Sequence, residues 1–193
     1  SVAVFEEGDL QFVGVVPMGG VNITNDLAIG LKTDPEIAEK VKLQHASALA
    51  RDDSKKVSVK QDKETLSFEQ TEIDEIVEAR LEEIFELVNK ELKKAGRAGQ
   101  LPSGVVLTGG TANIKGIAEY AKQQLGVASR IGKSQGFGGV ADEIDKPQFA
   151  TAVGLMLVDA ESAPAKQSGR NGLGASKKKS GGLFKSIFGR FKP

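Results

Sequence analysis

GVVLTGGTANIKGIAEYAKQQLG (104–126) is the stretch that decides the fold. Gly104 to Leu107 reads as a short buried strand running into a glycine turn at Gly109-Gly110. The helix expected after it carries Ile114, Ile117, Ala118, Ala121 and Leu125 on one face and stops at Gly126. Two glycines between a strand and a helix N-terminus have a physical use. Without Cβ atoms the backbone can approach a ligand closely, and the helix start offers free N–H groups and partial positive charge to a phosphate. Taken alone the unit settles nothing, because tight β–α turns also use glycine where no ligand binds.

Working outward, VAVFEE (2–7) and LQFVGVV (10–16) read as a β-hairpin turning at Gly8-Asp9. Pro17-Met18-Gly19-Gly20 leads into a short helix, Ile23 to Leu31. A second helix starts near Thr33-Asp34-Pro35-Glu36, where a cap residue, a first-turn proline and a glutamate three residues on coincide, and is expected to reach about Ala50. On it, Glu39 and Lys42 are three apart and share a face. They suit either an ordinary surface ion pair or a carboxylate that accepts from ribose hydroxyls with an ammonium beside it. Residues 52–70 are polar with β-like pieces at 57–59 and 65–68. A long helix follows to Gly96, with Thr71 and Asp74 resembling a capping box and Ile73, Val77, Leu81, Ile84, Val88 and Leu92 on one face. Residues 127–148 read as irregular, and Phe149 to Val158 as a final apolar helix.

Composition removes several chemistries. The 193 residues include no cysteine and a single histidine, His45. Disulfides, thiolate metal sites and multi-histidine metal centres are excluded. No run of about 18 apolar residues occurs, and no basic-then-apolar leader opens the chain. Charge is sharply divided. All 26 acids lie at or before Glu161, and eight of the 26 bases lie after it, so a body of net −8 precedes a tail of +8.

That tail reads as two pieces. Residues 161–181 hold Ser, Gly, Ala, Pro and Lys with almost nothing to bury and are expected to be a disordered basic linker. In residues 182–193, Leu183, Phe184, Ile187, Phe188 and Phe191 fall on one helical face, with Lys185 and Arg190 elsewhere. So short a helix is unstable in water. It fits a segment that folds in a lipid interface, drawn there by bases worth ~1 kcal/mol each near anionic lipid. The bland alternative, a helix folding back on its own core, explains the stripe but not the linker or the absence of acids. Nucleic acid would match the charge but not the apolar stripe.

Several segments together resemble the second half of the actin-like ATPases, the superfamily of actin, Hsp70-type chaperones, MreB and FtsA. VAVFEEGDLQFVGVVPMGG (2–20) is similar to their strand pair and Gly-Gly connection, and GGVNITNDLAIGL (19–31) to the FtsA pattern G-x-x-x-T-x-D-[IL]-A-x-G-L. IAEKVKLQHASA (37–48) resembles the A-E-x-x-K adenosine helix, 104–126 the adenosine motif, and ADEIDKPQFATAVGLML (141–157) the closing A-T-A-x-G-L helix. Core, linker and terminal amphipathic helix, in that order, resemble FtsA in particular.

The resemblance implies an α/β fold, the second lobe of an actin-like (ribonuclease H-like) ATPase. Residues 1–31 and 104–160 would form the nucleotide subdomain and 32–103 an inserted one. ATP, with Mg2+, would meet Glu39, Lys42, Gly109 and Gly110, with Thr111 and Asn113 as weaker candidates. Hydrolysis in such proteins is weak at most. The family's D-x-G-G-G-T-T phosphate loop is expected just before Ser1, so the sequence is expected to hold one wall of a two-walled site. The implied role is a cell-division protein that polymerises with itself and ties FtsZ filaments, through the FtsZ C-terminal peptide, to anionic lipid. Its place would be the cytoplasmic face of the membrane at the division site. No nucleic-acid partner is expected. The alternatives are another actin-like protein of cell shape or pilus assembly, or a sugar-kinase-type enzyme.

Overall fold

A computed structural model describes residues 1–49, 51, 55–61, 64–134 and 144–162. The linker and the amphipathic segment of residues 163–193, with every membrane residue expected there, lie outside the described residues.

The chain opens with an antiparallel hairpin, β1 (Val2–Glu6) and β2 (Asp9–Gly14). Its turn is Glu7-Gly8 rather than Gly8-Asp9, and Asp9 pairs with Glu6. Both turn residues have positive φ (52° and 93°), as a two-residue I′-type turn requires. Helix α1 (Gly20–Gly30) follows, starting three residues before the expected Ile23. Asn22 closes its first turn, accepting from the Gly19 N–H through Oδ1 while its own N–H donates to Gly19 O. Ile23, Thr24 and Leu27 turn inward.

Helix α2 (Pro35–His45) has proline in its first turn as expected, but the residue at its start is Asp34 and no side chain caps it. The Thr33–Glu36 box does not form. The helix ends at His45, short of Ala50, because the chain beyond it pairs elsewhere. Ser47 bridges Lys115 in parallel, and the Ala48 N–H donates to Lys115 O at 2.8 Å. The two β-like pieces join as a full hairpin, β3 (Lys56–Gln61) and β4 (Glu64–Glu69), in unbroken register.

Helix α3 (Gln70–Lys94) is the longest element. Thr71 and Asp74 do not make a capping box; Asp74 is drawn into the core side and holds Arg51 and Gln70 instead. Ile73, Val77, Leu81 and Leu92 are buried as the periodicity predicts, but Phe85 is buried where Ile84 and Val88 are only half so. A straight helix of 3.6 residues per turn drifts away from a stripe spaced by threes and fours. Gly30 lets α1 lie close to α3: a Cβ there would stand 2.5 Å from Ile76 Cδ1.

Strand β5 (Val105–Leu107) pairs in parallel with β6 (Ser129–Ile131), a strand inside the stretch expected to be irregular. Helix α4 (Ile117–Leu125) connects them and ends at Gly126 with φ 67°. A 3-10 turn, Pro147–Phe149, leads into the last described helix, α5 (Ala150–Ser162), which runs two residues into the expected linker. Most buried apolar side chains among the described residues form one cluster. Val4, Ile23 and Leu27 meet Ile37, Ala38 and Val41, then the α3 face, then Ile117, Tyr120, Ala121 and Leu125.

Candidate functional site

Gly20 is the centre of the site. Its carbonyl accepts from Lys42 Nζ at 3.1 Å, so the start of α1 is bonded to the side of α2. Two more acceptors complete the ammonium's set: Thr24 Oγ1 at 2.8 Å and Glu39 Oε2 at 2.6 Å. An ammonium has three protons, so Lys42 is fully engaged, and its side chain is only 12% exposed. Thr24 Oγ1 lies within reach of both Gly20 O and Glu39 Oε2. A hydroxyl has one proton to give, and the carboxylate is the stronger acceptor.

Both of Glu39's bonds therefore fall on Oε2. Among the described residues no partner bonds its Oε1, and the side chain is 43% exposed. Burial pushes the Glu39 carboxyl up, but the bonds from Lys42 and Thr24 and the Lys42 charge outweigh it and hold the group below its ordinary value.

On its other side Gly20 meets the glycine turn. A Cβ at Gly20 would stand 3.0 Å from Thr111 Oγ1 and 3.6 Å from Lys42 Nζ. The A-E-x-x-K helix and the Gly109-Gly110 turn thus come to one place through a residue with no side chain. Gly109 has φ 92°, a conformation that favours glycine, and among the described residues no atom beyond the chain neighbours lies within 4 Å of where a Cβ would stand at Gly109 or Gly110.

The turn departs from the expected strand–glycine–helix unit. The glycines do not open an α-helix. They lead into a four-residue 3-10 turn, Gly110–Asn113, and α4 starts only at Ile117. The Gly109 N–H is also taken, by Pro147 O at 2.8 Å. Asn113 spends its amide protons on Gly110 O and Gln148 Oε1, both at 3.0 Å, so it ties the turn to the last 3-10 segment. Thr111 packs against Gly20, and Asn113 holds the turn. Glu39 and Gly109 are half-buried and Gly110 is exposed.

Sequence reasoning gave Thr24 no role. Its signal was there: a hydroxyl on the otherwise apolar inner face of α1, between Ile23 and Leu27. It also gave none to Arg80 of α3, which forks onto Asp26 of α1 through Nε and, at 2.9 Å, Nη2, and reaches Glu83 through Nη1. The Asp26 bond holds the guanidinium even more firmly protonated than usual, against a smaller opposing effect of burial. Asp26, Ile29, Ile76 and Arg80 line an open cavity of about 370 Å³ there.

A family model described as cell division protein FtsA matches residues 1–154. The chain belongs to the FtsA family. It is 41% identical to the cell division protein FtsA of Bacillus subtilis over 160 residues, 81% of this chain and 35% of that protein. It is 34% identical to that of Pseudomonas aeruginosa over 161 residues, 81% of this chain and 39% of the relative. The chain thus spans well under half the length of these FtsA relatives. Among solved structures, MreB5 of Spiroplasma citri bound to ADP is similar at TM-score 0.61 and 16% identity, over 79% of this chain and 47% of the other. The same protein bound to AMPPNP gives 0.56 at 14% identity, over 75% and 44%. The fold is therefore the actin-like α/β fold, as the FtsA resemblance implied. No described helix is long and apolar enough to cross a membrane.

Proposed function

We propose that this chain contributes the second lobe of an actin-like division protein that ties FtsZ filaments to the inner face of the cytoplasmic membrane. In this reading residues 1–31 and 104–160 carry one wall of an ATP site, and 32–103 form an inserted subdomain that docks the FtsZ C-terminal peptide. The observation that carries the nucleotide wall is the convergence on Gly20 of Glu39, Thr24 and Lys42 from one side and Thr111, next to Gly109-Gly110, from the other.

Glu39 Oε1 would accept from the ribose, and Gly109-Gly110 would let the base lie against backbone. Lys42, with its protons engaged, would orient Glu39 rather than touch the nucleotide. Bound ATP with Mg2+ would supply the charge that joins this wall to the facing one. The basic tail would hold anionic lipid, with Leu183, Phe184, Ile187, Phe188 and Phe191 in the interface and Lys185 and Arg190 at the headgroups. Self-polymerisation would multiply each weak attachment.

Recruitment of FtsZ to vesicles tests the tether. FtsZ is sedimented with anionic liposomes with and without this protein. FtsZ should pellet only when the protein is present. Phe184→Glu with Phe188→Glu should abolish that recruitment, since burying one such ring is worth ~1.5–3 kcal/mol. Recruitment by the double variant equal to the unaltered protein would refute the amphipathic anchor. No recruitment by either would refute the tether.

A further inference from the structure

We infer that Thr24 is a positioning residue for the ribose of a bound nucleotide: its buried hydroxyl accepts a hydrogen bond from Lys42 and donates one to Glu39 Oε2, which leaves Oε1 as the ribose acceptor. The inference rests on the nucleotide-wall reading and adds to it a residue that touches no ligand. Thr24 is only 7% exposed and sits on α1, not on the Glu39 helix. Its hydroxyl accepts from Lys42 Nζ at 2.8 Å and donates to Glu39 Oε2.

The geometry gives a division of labour. A carboxylate on a helix surface can swing about its long side chain, and either oxygen can face a ligand. Here two donors from different elements hold the same oxygen, Lys42 from α2 and Thr24 from α1. With Oε2 held twice, the carboxylate has less freedom to turn, and Oε1 is the oxygen left for a ligand. A buried hydroxyl has the one arrangement that both satisfies the ammonium and reaches the carboxylate. Valine has the same shape but neither capacity. It would leave a Lys42 proton unmet and Glu39 held at one point, free to rotate.

A positioned acceptor matters only for ligands with ribose hydroxyls, which makes the role separable from simple support of the fold. The 193-residue chain, isotope-labelled, is titrated with ATP and with 2′,3′-dideoxy-ATP by NMR, and Glu39 Cδ is followed through acid pH without nucleotide. The unaltered chain should prefer ATP to the dideoxy compound. Thr24→Val should weaken ATP binding about tenfold, the order expected for loss of a charge-assisted bond, and leave dideoxy-ATP binding nearly as it was. Its Glu39 titration midpoint should rise. Thr24→Ser should restore both properties.

Preference for ATP kept in Thr24→Val, or both nucleotides weakened alike, would overturn the inference. So would a Glu39 midpoint that does not move. If the unaltered chain binds neither nucleotide while Thr24→Val still moves the Glu39 midpoint, it is the nucleotide wall that fails, and the positioning of Glu39 by Thr24 stands. Thr24→Ala replaces valine should that variant not fold, with the same outcomes expected.

Discussion

Asp74 and Glu39 are both carboxylates held by one cation and one neutral donor, yet they are built for different ends. Asp74 uses both oxygens. Arg51 Nη2 and Gln70 Nε2 reach Oδ1, each at 2.9 Å, and Arg51 Nε reaches Oδ2 at 3.2 Å. It is 4% exposed, and Arg51 and Gln70 also bond His45 O, so the set pins the end of α2 to the start of α3. Glu39 receives both of its bonds on one oxygen and leaves its side chain 43% exposed. A carboxylate with both oxygens bonded from within holds the fold. One with an oxygen left over, as Glu39 has, is suited to the ligand role proposed for it.

The widest separation between the two should appear in stability. Asp74→Ala strips a buried partner from Arg51 and Gln70 and is expected to cost about 3 kcal/mol, the lower end for a broken buried pair because Arg51 is partly exposed. Urea unfolding measures it, and a loss below about 1 kcal/mol would erase the contrast. Glu39→Gln should lose under about 1 kcal/mol, as a part-exposed pair does, while weakening ATP binding about tenfold. A Glu39→Gln chain as destabilised as Asp74→Ala, with nucleotide binding intact, would place both carboxylates in the structural role.

The smallest effect concerns pH. The folded Glu39 carboxyl titrates below its ordinary value of 4.5. Its contribution to stability is therefore present above that value and lost as pH falls through the lower, folded one. Unfolding curves should show Glu39→Gln losing slightly less stability than the unaltered chain as pH drops below about 4.5. Equal losses would mean that the Lys42 and Thr24 bonds do not favour the charged form.

The sequence carried the fold further than it carried the site. The glycine turn, the A-E-x-x-K helix and the α3 stripe are local patterns, and their order matched the FtsA family before any coordinates. What was not legible depends on contacts between distant segments. Helix α2 stops early because Ser47 finds Lys115, 68 residues away. Asp74 abandons its own helix end for Arg51, and β6 needs β5 beside it to be a strand. At the site, Glu39, Lys42 and the glycines were readable by motif. Their meeting point at Gly20 was not, because a residue without a side chain leaves no chemical signature. Thr24 was visible as a polar break in an apolar face, but its two partners lie on another helix.

In the proposed function Glu39 and Gly109-Gly110 share one nucleotide-facing surface, and amide shifts of the labelled 193-residue chain during an ATP titration to millimolar concentration report on it. Gly20, Glu39, Gly109, Gly110 and Thr111 should move together with one binding curve, while Arg51 and Asp74 stay still. Saturable shifts confined to other faces, or movement of the glycine turn without Glu39, would contradict it.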